Sequence, residues 1–155
     1  MKILLIASEG IDLYDTLSAS ETSRLTLRFY RPERRPCGVA ITTGSLGSAL
    51  SIVSELKWYV RRYVRDVLYE LPHGAYATQA LADEIYQRDV KIAPTWDLRL
   101  VYCFKGGSLV RKIPMEPSAS PESMRAADDD YDTAIEVWSI EPRATPVPED
   151  QTEKE

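Results

Sequence analysis

The chain has 155 residues, 44% of them hydrophobic, and a net charge of −5, which suits one globular domain with its own core. No apolar run approaches the roughly 20 residues that cross a bilayer. Two cysteines and one histidine are too few for a disulfide scaffold or for a zinc site built from this chain alone.

Residues 2–7 form a continuous apolar run, which predicts a central strand with both faces covered. The run is too short for a signal peptide, and Glu9, Asp12 and Asp15 follow at once. Reduced cysteines and the absence of a leader make a cytoplasmic location the expectation. Residues 8–23 are polar and predict a long arm or loop, a length of connection that usually carries function.

Two strands are expected next. Leu25, Leu27 and Phe29 alternate with Thr26, Arg28 and Tyr30; Val39, Ile41 and Thr43 alternate with Ala40 and Thr42. The proline-bounded segment 31–36 between them predicts a hairpin. A long helix should start at Ser45 or Ser48, either of which can cap it. Its stripe runs Ala49, Ile52, Val53, Leu56, Val60, Val64, Val67 and Leu71, all at helical spacing. Pro72 stops it, with His73-Gly74 as the turn. A shorter helix is expected over 76–88, with Leu81 and Ile85 facing inward.

The clearest strand comes next. Trp96, Leu98, Leu100, Tyr102 and Phe104 share one face, and Asp97, Arg99, Val101, Cys103 and Lys105 share the other. Gly106-Gly107 predicts a primed turn, because both glycines tolerate positive φ, and 109–114 return as the partner strand. Residues 115–131 read as a mobile surface loop. A last strand alternates over 135–140. From Glu141 onward Pro, Glu, Thr and Lys dominate, a composition that cannot offset its ordering entropy. The expected fold is therefore α+β: a single domain over 1–140 and a disordered acidic tail over 141–155. Its element order would be β-β-β-α-α-β-β-β, a mostly antiparallel sheet with one long and one short helix on one face.

Charge divides along the chain: residues 1–115 carry +4 and residues 116–155 carry −9. That split concerns partners rather than fold. On the long helix, Trp58, Arg62, Arg65 and Tyr69 cluster opposite the apolar stripe. A helix with two such faces needs two covers, and Trp, Tyr and Arg are the usual anchors of an interface. In the predicted hairpin, Arg24, Arg28, Arg31, Arg34 and Arg35 would form a positive tip for an acidic protein, nucleic acid or the chain's own tail. An overall pI near 5.0 argues against a dedicated nucleic-acid binder.

Other motifs read as structural. Thr43-Gly44-Ser45-Leu46-Gly47-Ser48 lacks the Gly-Lys-Ser/Thr ending of a phosphate loop and is a capping turn. His73 ends a helix, Cys103 is a half-buried strand residue, and Asp128-Asp129-Asp130 lacks the ligand spacing of a calcium loop. No catalytic set, cofactor motif or metal site is expected. The reading is a non-enzymatic interaction or assembly protein, docking on a protein partner or on itself, an architecture that suits small viral and regulatory proteins alike. A nucleic-acid-associated protein with the tail as competitor is the alternative, and a small enzyme with no active site visible in sequence is the third.

Overall fold

The structure is a computed structural model, which describes residues 1–87, 91–92, 96–116 and 131–140. The expected α+β class holds. Among the described residues there are eight strands and five helices. The strands form one sheet in the order β2-β3-β1-β4-β5-β8-β6-β7, and every pairing is antiparallel except β5 with β8.

The first strand, β1 (Lys2–Ala7), is central as expected, between β3 (Gly38–Thr42) and β4 (Val64–Glu70). Its alternation feeds two cores. Ile3 and Leu5 join the core beneath the helices, while Leu4 and Ile6 join the core on the opposite face. Fully burying each such side chain stabilises the fold by about 1.5–3 kcal/mol.

The element order departs from expectation at four places. The polar arm over 8–23 is largely helical: α1 (Leu13–Ala19) is capped by Asp12, whose side chain accepts from the Asp15 N–H at 3.1 Å. Leu13 and Leu17 lie four apart and are both buried. The expected strand at 24–30 is instead α2 (Glu21–Leu27). Ser23 and Leu27 face inward at helical spacing, which leaves Leu25 and Phe29 exposed, Phe29 at 78%. The alternating apolar run was therefore not a sheet face. The true hairpin pairs β2 (Glu33–Arg35) with β3 through Pro36-Cys37.

The third departure is the long helix. Ser45 does cap α3 (Leu46–Glu55), accepting from the Ser48 N–H at 3.1 Å. The helix breaks at Leu56, resumes as α4 (Lys57–Tyr63) and gives way to β4. Val64, Val67 and Leu71 satisfy a helical period, but Tyr63-Val64-Arg65-Asp66-Val67-Leu68-Tyr69 satisfies a strand period too. β-Branched and aromatic residues suit the pleat, and pairing with β1 places Tyr69 opposite Ile3 and Leu68 opposite Leu4. Tertiary pairing overrides the local pattern here.

A fourth departure is a short strand where the helix expected over 76–88 should begin. Thr78 ends β5 (Tyr76–Thr78) and caps α5 (Gln79–Tyr86), in which Leu81 is fully buried and Ile85 partly so. β6 (Arg99–Lys105) and β7 (Ser108–Pro114) are joined by Gly106-Gly107, both at positive φ, and β8 (Thr133–Trp138) closes the set. The tail over 141–155 and most of the loop over 115–131 lie outside the described residues. No described helix is long and apolar enough to cross a membrane.

The sheet rolls over the face opposite the described helices. Tyr102, Phe104 and Leu109 from its far end pack with Leu4, Ile6 and Ala40 from its middle. Three bonds tie the halves together: Tyr102 donates to Asp66 Oδ2 at 2.8 Å, Lys112 to the same oxygen at 2.9 Å, and Arg65 to the Leu109 carbonyl at 2.6 Å. At the rim, the β6–β7 turn meets the β2–β3 turn so closely that a Cβ on Gly107 would lie 2.2 Å from the Pro36 carbonyl oxygen. This contact is the seam of the roll.

Candidate functional site

On one side of the seam lies a cleft of about 570 Å³. Its walls are the end of β1 and the loop to α1, the β2–β3 turn, the start of β4 and the β6–β7 turn. It gathers Arg34, Arg35 and Arg65, with Glu9 and Asp12 as the carboxylates. The cleft thus joins two arginines of the expected hairpin set to one of the expected helix-face set.

Strand parity positions these groups. Arg34 pairs with Val39 in register and shares its helix-side face; Arg35 pairs with Gly38 and faces the other way. Arg34 therefore meets α1, bonding Asp12 Oδ2 at 2.5 Å and Asp15 Oδ1 at 2.8 Å, and it lies 4.8 Å over the Tyr14 ring. The capping bond from the Asp15 N–H, and then Arg34, hold the Asp12 carboxyl below its ordinary value. Asp12 and Asp15 in turn hold Arg34 firmly charged. Both groups are solvent-exposed, so this network orders the cleft wall more than it stabilises the fold. Arg35 pairs with Glu33 at 3.0 Å. Arg65 has a carbonyl rather than a carboxylate as its hydrogen-bond partner here.

Cys37 sits at the seam, half-buried. Burial pushes its thiol up, more than the nearby Arg35 draws it down. The thiol form prevails at neutral pH, which does not favour a nucleophile.

The remaining expected site residues are dispersed. Arg24, Arg28 and Arg31 line a separate hollow of about 170 Å³, shared with Tyr14. Trp58 and Arg62 do stack on α4, with the guanidinium 4.4 Å from the ring centroid and the indole 52% exposed. Tyr59 and Tyr63 pack edge-on against Trp58. Arg65 and Tyr69, however, belong to β4. Tyr69 is buried and donates to Gln79 Oε1 at 2.5 Å. The four-residue helix face is therefore not assembled, because the helix ends before two of its members.

His73 lies against Trp138 with the rings tilted and their centroids 4.3 Å apart, and Cys103 is buried. Among the described residues no group of three His, Cys, Asp or Glu side chains could hold a metal ion. Sequence reasoning missed Asp12 and Asp15, whose spacing is that of a helix cap and its first turn, and Asp66, which no local pattern marks.

The family DUF5804, a family of unknown function, matches residues 1–104, and the chain belongs to it. The matched segment supplies three of the cleft's walls; the β6–β7 turn lies beyond it. No curated protein and no solved structure gives a significant match.

Proposed function

We propose that the chain is a non-catalytic interaction protein that docks an acidic segment of a protein partner in the arginine cleft. The observation that carries this reading is the convergence of Arg34 and Arg35 from β2 and Arg65 from β4 on one open cleft. Arg34 is paired with Asp12 and Asp15 and Arg35 with Glu33, so the cleft carries no large excess of positive charge. Such a lining suits a segment with one or two carboxylates better than a polyanion, whose binding rests on many phosphate contacts. Arg65 is the group with charge to spare, and a guanidinium fork matches a carboxylate in a two-point bond.

Fluorescence anisotropy with a labelled Glu/Asp-containing peptide tests the reading. Binding should weaken with salt, and Arg65→Gln should weaken it about tenfold, the loss of one charge-assisted bond. A neutral peptide that binds equally well would refute it. Sedimentation then separates a second copy of the chain from a different partner.

A second reading, association with single-stranded nucleic acid, is favoured by one observation. Two exposed aromatics, Phe29 just past α2 and Trp58 on α4, each carry a guanidinium over the ring, Arg28 at 4.6 Å and Arg62 at 4.4 Å. Bases stack on such platforms without sequence preference. Oligothymidylate that outcompetes the acidic peptide would support this reading over the first.

A further inference from the structure

Across the seam from the arginine cleft, the inside of the rolled sheet holds a second hollow of about 410 Å³. Its floor is apolar and comes from four strands: Leu4 of β1, Ala40 of β3, Phe104 of β6 and Ile135 of β8. Leu4 and Ala40 are direct partners in register. A concave, mostly apolar lining of this size with a few polar groups at its rim is the usual form of a small-molecule site.

The rim is polar and carries Lys2, Arg35, Tyr76 and Asp132. Lys2 shares the face of Leu4 by strand parity, so its side chain projects to the same side of the sheet. Asp132 already accepts the Gly106 N–H at 2.9 Å. Burial first, and the neighbouring Glu70 second, keep the Tyr76 hydroxyl protonated, so it serves as a donor. The rim therefore offers an ammonium, a guanidinium and a phenol O–H to a hollow whose floor is hydrocarbon. Asp132 is engaged by a backbone N–H and Glu33 already pairs with Arg35, so the Lys2 ammonium is the rim's main anchor for an added anion.

We infer that this hollow binds a small amphipathic carboxylic acid, with its hydrocarbon body on Leu4, Ala40, Phe104 and Ile135 and its carboxylate at the rim of Lys2, Arg35 and Tyr76. A neutral amphiphile gains the same apolar burial but forgoes the charge-assisted bond to the rim, above all to Lys2. An amine adds a third cation to the rim. The volume limits the body to a medium-length chain or a single ring system. This site uses the inner face of the sheet and goes beyond the proposed docking of an acidic segment.

Titration calorimetry on the full chain tests the inference, with decanoate, decanol and decylamine as probes. Decanoate should bind with one-to-one stoichiometry and at least tenfold more tightly than the other two. The double substitution Lys2→Gln, Arg35→Gln should bring decanoate down to the level of decanol. Affinity should rise from hexanoate to decanoate and fall again at hexadecanoate, which outgrows the hollow; this readout needs no variant to fold. Ala40→Phe, which fills the floor, should abolish binding of acid and alcohol alike. Arg34→Gln lies on the helix side of β2, outside the hollow, and should leave decanoate binding unchanged, which separates this site from the cleft. Absence of saturable binding would overturn the inference. So would equal affinity for decanoate and decanol, or an affinity that keeps rising through hexadecanoate.

Discussion

The two hollows share Arg35, Pro36, Cys37, Gly106 and Gly107, yet their chemistry is opposite. The cleft opens on strand ends and turns, where charged side chains and backbone groups meet solvent. The inner hollow opens on strand faces, where alternation delivers apolar side chains at every second position. Parity alone sends Arg34 to the carboxylates of α1 and its neighbour Arg35 to the inner rim. A one-residue slip of β2 would exchange them. The difference between the sites is thus a matter of register, not of separate elements.

The largest expected effect comes from breaking the seam itself. Gly107 sits at φ +85° with the Pro36 carbonyl oxygen 2.2 Å from where a Cβ would stand. Gly107→Val should cost about 2–4 kcal/mol, since it combines a strained backbone with a clash that neither turn can easily relieve. Urea unfolding measures the loss. If the seam is what separates the hollows, the variant should weaken acidic-peptide and decanoate binding together.

Asp66→Asn tests the other fastening of the roll. The carboxylate accepts from both Tyr102 and Lys112, and its amide replacement keeps the shape while losing the charge. A loss of about 1–3 kcal/mol in urea unfolding is expected. The inner hollow should suffer more than the cleft, because Asp66 anchors the strand that supplies Phe104. Equal weakening of both ligands would show that the roll moves as one unit.

The same fastening predicts a pH dependence. Burial, more than the Asp66 charge, raises the Tyr102 hydroxyl above its ordinary 10.0. Burial likewise raises Tyr69 and Tyr76. Their protonated forms are favoured by the folded state, so their contribution is complete below the unfolded value near 10.0. It is lost as pH rises from there through the folded values, because the unfolded chain releases those protons first. The urea midpoint should fall above that pH, and Tyr102→Phe should flatten the fall.

Much of the fold is legible in the sequence where one period has no rival. The β6–β7 hairpin combines ten alternating residues with Gly106-Gly107, and α3 carries its own serine cap. It is illegible where two periods fit the same residues. The segment Tyr63–Tyr69 suits helix and strand alike, and only pairing with β1 decides. In α2 the alternation of Leu25, Leu27 and Phe29 points to a sheet, while burial of Ser23 and Leu27 reveals a helix. The site follows the same rule. Arg34, Arg35 and Arg65 can each be picked out as candidates, but their grouping depends on a contact between Pro36 and Gly107 that no local pattern encodes.

The smallest effect is expected outside both hollows, at Trp58. The indole is half-exposed, and removing it forfeits a cation–π contact with Arg62 of about 0.5–1 kcal/mol and the edge contacts of Tyr59 and Tyr63, all at the surface of α4. Trp58→Ala should therefore shift the urea midpoint only slightly and leave acidic-peptide and decanoate affinities within twofold. Its use is as a discriminator. Trp58 lines neither the cleft nor the inner hollow, so a loss of oligothymidylate binding in this variant, with peptide binding intact, would assign stacking to α4 and carboxylate recognition to the seam. Unchanged oligothymidylate binding would remove the helix face from the account and leave the seam as the centre of recognition.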